Sequence, residues 1–399
     1  MSTYEELRAS HRWALPAHLN IGVEVSDRQP ADAPAILVSD GREITRTVSF
    51  GELSESSNRL ANVLRARGVA VGDRVALILS QRPETAIAHV AIYKLGAIAV
   101  PLSAAFGTDA LAVRLRGSEP RAVLGERESL ERVAALGFDG ALIDVDHDLP
   151  RLLADASADF TAAATAPDTP ALLVYTSGTT GPPKGALHGH RVLAGHLPGF
   201  ELSHDFFPQP GDRIWTPADW AWIGGLMDIL MPTWYYGCPV LAYRARKFDP
   251  EKALHLIEKY RVRNAFMPPT ALKIVRQVPR IRERFKLGLR TIMSGGEVLG
   301  EETLGWAREE LGIGINEMDG QTEVNYIIGN CQAVLPVTLG RWGAPIPATS
   351  SRSWTRPAPS CPLGSSARSP SSGATIRSSS SITGTIPKAL TRSSAGPGP

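Results

Sequence analysis

The densest concentration of chemically capable residues is the run Thr176-Ser177-Gly178-Thr179-Thr180-Gly181-Pro182-Pro183-Lys184-Gly185. Glycines let backbone N–H groups approach a polyphosphate, hydroxyls donate further hydrogen bonds, and one lysine adds a compact positive charge. The run is not the P-loop of nucleoside triphosphatases: Lys184 is followed by Gly185 rather than Ser or Thr, and no helix start is evident. The plain alternative is a surface loop closed by a Pro-Pro turn. Two smaller clusters lie downstream, Ser294-Gly295-Gly296-Glu297 and Asp319-Gly320-Gln321-Thr322-Glu323. Either one alone would suit a turn carrying a solvated acid. The stretch from Trp215 to Leu226 holds Trp215, Trp220, Trp222 and Gly224, and its rings suit an apolar pocket or the core equally. His188 and His190 read as packing or loop-orienting groups, and Glu258 with Lys259 as a solvated helix face.

These residues must be positioned by alternating strands and helices. Val75–Leu79, Ala97–Val100 and Ala171–Tyr175 are short apolar runs of the kind that form buried strands. Between the first two, Pro83 to Leu95 has the spacing of an amphipathic helix. Asp249 and Pro250 supply an N-cap and an N1 proline for a helix carrying Ala253, Leu254 and Ile257. Asn264–Met267 reads as a strand stopped by Pro268-Pro269, and Leu289–Met293 as another ending in Ser294-Gly295-Gly296. Strand–helix–strand repetition implies parallel sheets with helices on their faces, and ligands at the carboxyl ends of the strands.

Charged residues are 21% of the chain and the net charge is +2, which gives no electrostatic reason to expect nucleic acid or an acidic membrane as partner. No run approaches the roughly 20 apolar residues of a membrane span, and the N-terminus lacks the basic-then-apolar pattern of a leader. A cytoplasmic location is the expectation. Cys238, Cys331 and Cys361 are scattered and odd in number, which suits free thiols. From about Pro347 the composition turns to Ser, Pro, Arg, Thr, Gly and Ala, and no acidic residue follows Glu323. Shifting the frame by one base lets Ser379–Leu390 read Phe-Leu-Asp-Tyr-Trp-His-Asp-Pro-Glu-Gly-Thr. Residues 348–399 are therefore expected to be frameshifted and unstructured.

In their order, the three clusters resemble those of the adenylate-forming (AMP-dependent synthetase/ligase) superfamily, which includes acyl-CoA synthetases, luciferases and peptide-synthetase adenylation domains. Thr176 to Gly185 is similar to its phosphate loop, Ser294 to Glu297 to the segment lining the adenine pocket, and Asp319 to Glu323 to its aromatic-Gly-x-Thr-Glu segment. The resemblance spans residues 30 to 347 and, through Trp215 to Leu226, is nearest to short- and medium-chain acyl-CoA synthetases. It implies an α/β fold, the large N-terminal domain of those enzymes, with two doubly wound sheet subdomains at 1–185 and 186–347.

The resemblance also implies an AMP-forming acid–thiol ligase that uses ATP, Mg2+ and coenzyme A, with small molecules as its partners. A carboxylate attacks the α-phosphate to give an acyl-adenylate and pyrophosphate, and the thiol of coenzyme A then displaces AMP. Carried over by position, Lys184, Thr322 and Glu323 are catalytic, and Thr176 and Glu323 hold the metal. Thr176, Ser177, Gly178, Thr179, Thr180, Gly181, Lys184, Gly295, Gly296, Glu297, Asp319, Gly320, Gln321 and Thr322 contact nucleotide. Trp220, Trp222 and Gly224 line the acid pocket. An aryl or amino-acid adenylating ligase is the alternative within this class. Asp319 departs from the family's aromatic residue, and the lost adenine stacking is worth about 1 kcal/mol. The family's small C-terminal domain, with its catalytic lysine, has no matching position in frame. A catalytically inert, nucleotide-binding chain is therefore the other expectation.

Overall fold

Buried apolar strands separated by helices build two sheets in the computed structural model, which describes residues 3–176, 182–245, 247–335, 343–347 and 382–383. In chain order the strands are β1 (Pro34–Ser39), β2 (Ile44–Ser49), β3 (Arg74–Ile78), β4 (Ile98–Pro101), β5 (Ala122–Gly125), β6 (Ala141–Asp144), β7 (Pro170–Thr176) and β8 (Lys184–Gly189). They continue as β9 (Ile214–Trp215), β10 (Val240–Tyr243), β11 (Asn264–Phe266), β12 (Thr291–Gly295), β13 (Ile315–Gln321), β14 (Val324–Gly329), β15 (Ala344–Pro345) and β16 (Ile382–Thr383).

The smaller sheet has the order β16-β8-β7-β4-β3-β5-β6, and the larger β15-β14-β13-β12-β11-β9-β10-β1-β2. The inner pairs are parallel, and antiparallel pairing is confined to the edges, at β1–β2, β7–β8, β8–β16, β13–β14 and β14–β15. Strands β3, β4 and β5 are buried along their whole length, as crossover helices on a parallel sheet require.

Sheet membership does not follow a division at residue 185. Strand β1 pairs in parallel with β10, Ile36 opposite Val240, so residues 34–49 belong to the larger sheet. The smaller sheet in turn runs on through β8 to Gly189. Of the tail, Ile382 and Thr383 pair antiparallel with Leu187 and Ala186. The rest of 348–399 lies outside the described residues, as do Ser177 to Gly181 and Cys361.

Three local expectations differ in detail. The helix Pro83–Leu95 has the expected bounds, but every residue except Glu84 is buried, so it is not amphipathic. It packs between β3, β4 and the helix Phe50–Ala66, which leaves it no solvent face. Gly96, at φ 73°, closes it in the left-handed conformation that glycine adopts without strain. The strand expected from Leu289 begins at Thr291, where its pairing with Asn264 of β11 starts. Glu258 and Lys259 are not simply solvated: Glu258 Oε1 accepts from the Lys286 N–H at 2.8 Å, and Lys259 Nζ donates to the Arg42 carbonyl.

Candidate nucleotide and acid site

The carboxyl ends of the two parallel sheets meet, and three polar links join them. Gln81, just past β3, donates through Nε2 to Thr216 O at 3.1 Å, just past β9. Ser103 Oγ, past β4, donates to Asp219 Oδ2 at 3.3 Å. Arg244, past β10, pairs with Glu126, past β5, at 2.6 Å. A cavity of about 190 Å³ lies at this junction, lined by Gln81, Trp215, Asp219, Tyr243 and Arg244. Burial raises the Asp219 carboxyl above the ordinary carboxylate range, and hydrogen bonds from Ala221 N–H and Ser103 oppose that rise. A larger, open depression of about 840 Å³ lies at the other end of the smaller sheet, beside Arg74 and Arg121 at the amino ends of β3 and β5.

Each motif cluster occupies a strand end or a turn. In the β7–β8 hairpin Thr176 stands directly opposite Lys184, and Thr176 Oγ1 donates to Lys184 O at 3.4 Å. The two residues thus frame the mouth of the intervening loop, with the Lys184 side chain exposed. Because β8 starts at Lys184, the chain after that lysine continues as a strand rather than a helix, unlike a P-loop.

In the larger sheet β12 and β13 are parallel neighbours, with Gly295 paired to Met318. A Cβ on Gly295 would stand 2.7 Å from Met318 O, so only glycine lets the strands end this close together. Gly296 adopts φ 93° with nothing within 4 Å of an added Cβ, which leaves an open shelf at the strand end. Ser294 Oγ is buried beside it without a hydrogen-bond partner among the described residues. Glu297 follows the shelf and is exposed. Thr322 and Glu323 form the two-residue turn between β13 and β14, closed by the Gln321–Val324 pair, and both are half-buried. Asp319 and Gly320 precede that turn; burial pushes the Asp319 carboxyl up, and a hydrogen bond from Gly320 N–H opposes this.

Two groupings therefore exist, Thr176 with Lys184 on the smaller sheet and Gly295–Glu297 with Asp319–Glu323 on the larger. The helix Val192–Ser203 connects them. It begins shortly after β8 and packs on β12, β13 and β14. Among the described residues, no hydrogen bond or ion pair joins Lys184 to Thr322 or Glu323.

The tryptophans separate by environment. Trp215 and Trp220 are core, whereas Trp222 is 41% exposed and packs edge-on against Phe106 at 5.8 Å, across the sheet junction. Gly224 is half-buried, and a Cβ there would come 3.0 Å from the Phe266 ring. His190 is structural: its Nδ1 accepts from the Ile21 N–H at 3.0 Å, and burial pushes its pKa down to about 4. Sequence reasoning missed Gln81, Ser103 and Glu126. The available signal was position, since each is a polar residue at the carboxyl end of an apolar strand.

The profile of the family described as AMP-binding enzyme matches residues 23–352. The chain belongs to that family. Among curated relatives, "Acyl-coenzyme A synthetase ACSM4, mitochondrial" of Homo sapiens is 28% identical over 366 residues, covering 86% of this chain and 62% of the relative. "Acetyl-coenzyme A synthetase" of Rhodobacter capsulatus is 29% identical over 344 residues, covering 77% of this chain and 52% of the relative. The chain thus spans about 60% of the length of the mitochondrial relatives it matches. Among solved structures, an acyl-CoA synthetase of Brucella canis superposes with a TM-score of 0.81 at 25% identity, covering 88% of this chain and 68% of that one. ATP-bound MatB from Rhodopseudomonas palustris superposes with a TM-score of 0.75 at 27% identity, covering 84% of this chain and 65% of that one. The chain is therefore similar to acyl-CoA synthetases over most of its length. No helix among its described residues is long and apolar enough to cross a membrane.

Proposed function

We propose that the whole protein activates a carboxylic acid with ATP and transfers the acyl group to coenzyme A. A carboxylate oxygen attacks the α-phosphorus, pyrophosphate leaves, and the thiolate of coenzyme A then attacks the acyl carbon and expels AMP. The observation that carries this reading is the glycine shelf at Gly295–Gly296 beside the Thr322–Glu323 turn, on adjacent parallel strands that end at the junction of the two sheets. Nothing lies within 4 Å of an added Cβ at Gly296, so a flat base could approach the backbone there.

Lys184 and the hydroxyl of Thr176 would meet the charge that develops on the phosphates. Glu323, with the Thr176 hydroxyl, would hold a magnesium ion, which would supply positive charge for the departing pyrophosphate. The Trp222–Gly224 stretch would hold the acid. Phosphoryl chemistry of this kind needs positioning and charge rather than a covalent enzyme intermediate, which agrees with the absence of a nucleophile–histidine pair from the motif clusters.

A second reading is nucleotide binding without turnover, since the chain spans 62% of the length of its relative; the half-buried Asp319 carboxyl, where the family has an aromatic ring, would weaken that binding. Both are tested by measuring ATP affinity and pyrophosphate release for the 399-residue chain with Mg·ATP and acetate, hexanoate and benzoate. A second protein, with the reading frame restored after Pro347, is run beside it. Pyrophosphate release that requires an acid supports the ligase. ATP binding without release in either protein assigns the inert reading, and absence of ATP binding rejects both.

A further inference from the structure

The amino ends of the smaller sheet carry a depression that no step described above uses. Its volume of about 840 Å³ lies within the range of roughly 300–1,000 Å³ typical of small-molecule sites. Its walls come from the turn before β3, the end of the helix Thr108–Ser118 and the turn before β6. A strand rises about 3.3 Å per residue, so β3 alone separates this depression from the sheet junction by roughly 17 Å.

Two guanidinium groups open onto it. Arg116, in the last turn of the helix Thr108–Ser118, and Arg121, just before β5, are both exposed. Among the described residues, neither side chain has a hydrogen bond or an ion pair. Arg74 is already satisfied: its buried side chain donates to Ser118 O at 2.7 Å and to Glu119 O at 2.8 Å, and stands 3.9 Å from the Glu119 carboxylate. Asp73 accepts from the Ala70 N–H at 2.8 Å, which leaves Asp139 as the acidic residue of the lining that opposes the free pair. Arg121 is also held in place. Its N–H donates to Arg74 O at 2.8 Å and its carbonyl accepts from the Ala141 N–H at 3.2 Å. Its guanidinium lies across Gly68, where a Cβ would stand 3.3 Å from Nη2.

Beside these charges the depression exposes hydrocarbon. Val71 is 64% exposed and Leu136 36%, and the half-buried Phe138 lines the same wall. Added Cβ atoms at Gly72 and Gly137 would meet nothing within 4 Å, so the rim stays open. An arginine on a convex surface is simply solvated. Two unpaired arginines in a concave and partly apolar wall suit a ligand with an anionic head and a hydrocarbon body. The planar fork of a guanidinium matches a carboxylate or a phosphate, and hydrocarbon laid on Val71 and Leu136 takes apolar surface out of water.

The geometry points to a second binding site, for an amphipathic oxyanion: Arg116 and Arg121 hold a carboxylate or phosphate head, and Val71, Leu136 and Phe138 carry its hydrocarbon chain. This assignment is independent of the proposed acid activation. It is tested by calorimetric titration of the 399-residue chain with decanoate and with decyl phosphate, each below its micelle concentration. Acetate and inorganic phosphate serve as heads without chains. The variants are Arg116→Gln, Arg121→Gln, Val71→Ser and Leu136→Ser, each checked for folding by its circular-dichroism melt. Arg151→Gln, which removes an exposed charge on the helix Leu149–Asp155, controls for net charge.

At least one decyl compound is expected to bind about tenfold or more tightly than its short counterpart, since each methylene that leaves water is worth up to about fourfold. The arm that binds names the head group. Arg116→Gln and Arg121→Gln each weaken it roughly tenfold or more. Val71→Ser and Leu136→Ser weaken it severalfold, and Arg151→Gln leaves it unchanged. All of these variants keep the native ATP affinity, because the nucleotide site lies at the other end of the strands. Absence of binding by both decyl compounds, equal binding with and without the chain, or native affinity in either folded arginine variant overturns the assignment. An equal loss in Arg151→Gln overturns it too. Binding that depends on Trp222, read from Trp222→Ala, and not on Arg116 and Arg121 belongs to the proposed acid site; it removes this assignment while acid activation stands. A chain that binds decanoate through Arg121 but binds no ATP would reject the proposed function and leave this site in place.

Discussion

Arg290 grips Asp212 at two points, Nη2 to Oδ2 at 2.5 Å and Nε to Oδ1 at 3.1 Å, and the Asp212 side chain is wholly buried. Arg263 adds a third contact, Nε to Oδ1 at 3.2 Å, and the Gln209 N–H a fourth at 2.9 Å. These residues stand just before β9, β11 and β12, at the amino ends of the strands whose carboxyl ends carry the candidate site. The cluster therefore holds the larger sheet in register from the far end. Removing one partner of such a pair leaves a buried charge uncompensated and costs about 3–5 kcal/mol. Arg290→Ala leaves Asp212 with Arg263 and the Gln209 N–H, so it is expected to lower the unfolding free energy, read from the urea midpoint and slope, by up to about 3 kcal/mol while the folded fraction keeps its ATP affinity. A loss of affinity without a loss of stability would place Arg290 in the binding machinery instead.

Acid sensitivity follows from four buried histidines. Burial pushes His89 and His204 down to about 3, and His190 and His196 down to about 4. Below a pH of about 6.5 the unfolded chain takes up protons that the folded chain refuses. Stability present above that pH is therefore lost as pH falls toward 4. Each histidine contributes up to about 1.4 kcal/mol per pH unit within this window. Denaturation midpoints measured at about pH 7 and about pH 5 are expected to drop steeply between them. His190→Gln, whose carbonyl oxygen can still accept from the Ile21 N–H, should flatten the slope. Equal midpoints at the two pH values would contradict neutral, buried rings.

At the proposed nucleotide site, Lys184 and Glu323 are expected to have separable effects. Loss of a hydrogen bond from a charged group costs about 1.5–3 kcal/mol, so Lys184→Ala is expected to weaken ATP binding roughly ten- to a hundredfold. Glu323→Gln should leave metal-free ATP affinity nearly intact and raise the magnesium concentration needed for half-maximal binding. Titrations of ATP with and without magnesium distinguish the two. Identical behaviour of both variants would mean that the residues do not divide phosphate and metal between them.

What could be read in the sequence was local. The helix Pro83–Leu95 and the Asp249 cap, whose side chain accepts from the Lys252 N–H, are written in neighbouring residues, and the strand ends at Thr176 and Gly295 lie within two residues of those read from the sequence. The motif clusters likewise fall on strand ends and turns because glycine and hydroxyl residues are punctuation as well as chemistry. Contacts between distant segments were not legible. Nothing near Ile36 signals that its strand pairs with Val240. Trp220 and Trp222 are two residues apart and of one type, yet one is core and the other exposed, because only the meeting of two sheets decides which face is covered. Arg290 likewise reads as strand, and nothing near it signals that its side chain pairs with Asp212, 78 residues away.

Lys94 presents a second buried charge with an unequal partner. Its side chain is wholly buried, with Nζ 2.5 Å from Asp27 Oδ1 and 2.8 Å from Asn58 Oδ1, whereas the Asp27 side chain is 33% exposed. Burial pushes the ammonium's pKa down, and Asp27 opposes that shift. The two truncations should therefore differ. Asp27→Ala strands an ammonium that water cannot reach and is expected to cost about 3–5 kcal/mol. Lys94→Met leaves a carboxylate that water can reach, fills the same volume, and should cost less than about 1.5 kcal/mol. Combining them should recover much of the loss in Asp27→Ala. The sign with pH is fixed as well. A base whose folded pKa lies below its unfolded value binds more protons when unfolded, so Asp27→Ala should regain stability as pH rises toward 10.5. Urea midpoints of the two single variants and the double variant at neutral and alkaline pH measure all of this. Equal losses in the two single variants would mean that the ammonium is hydrated in the folded chain.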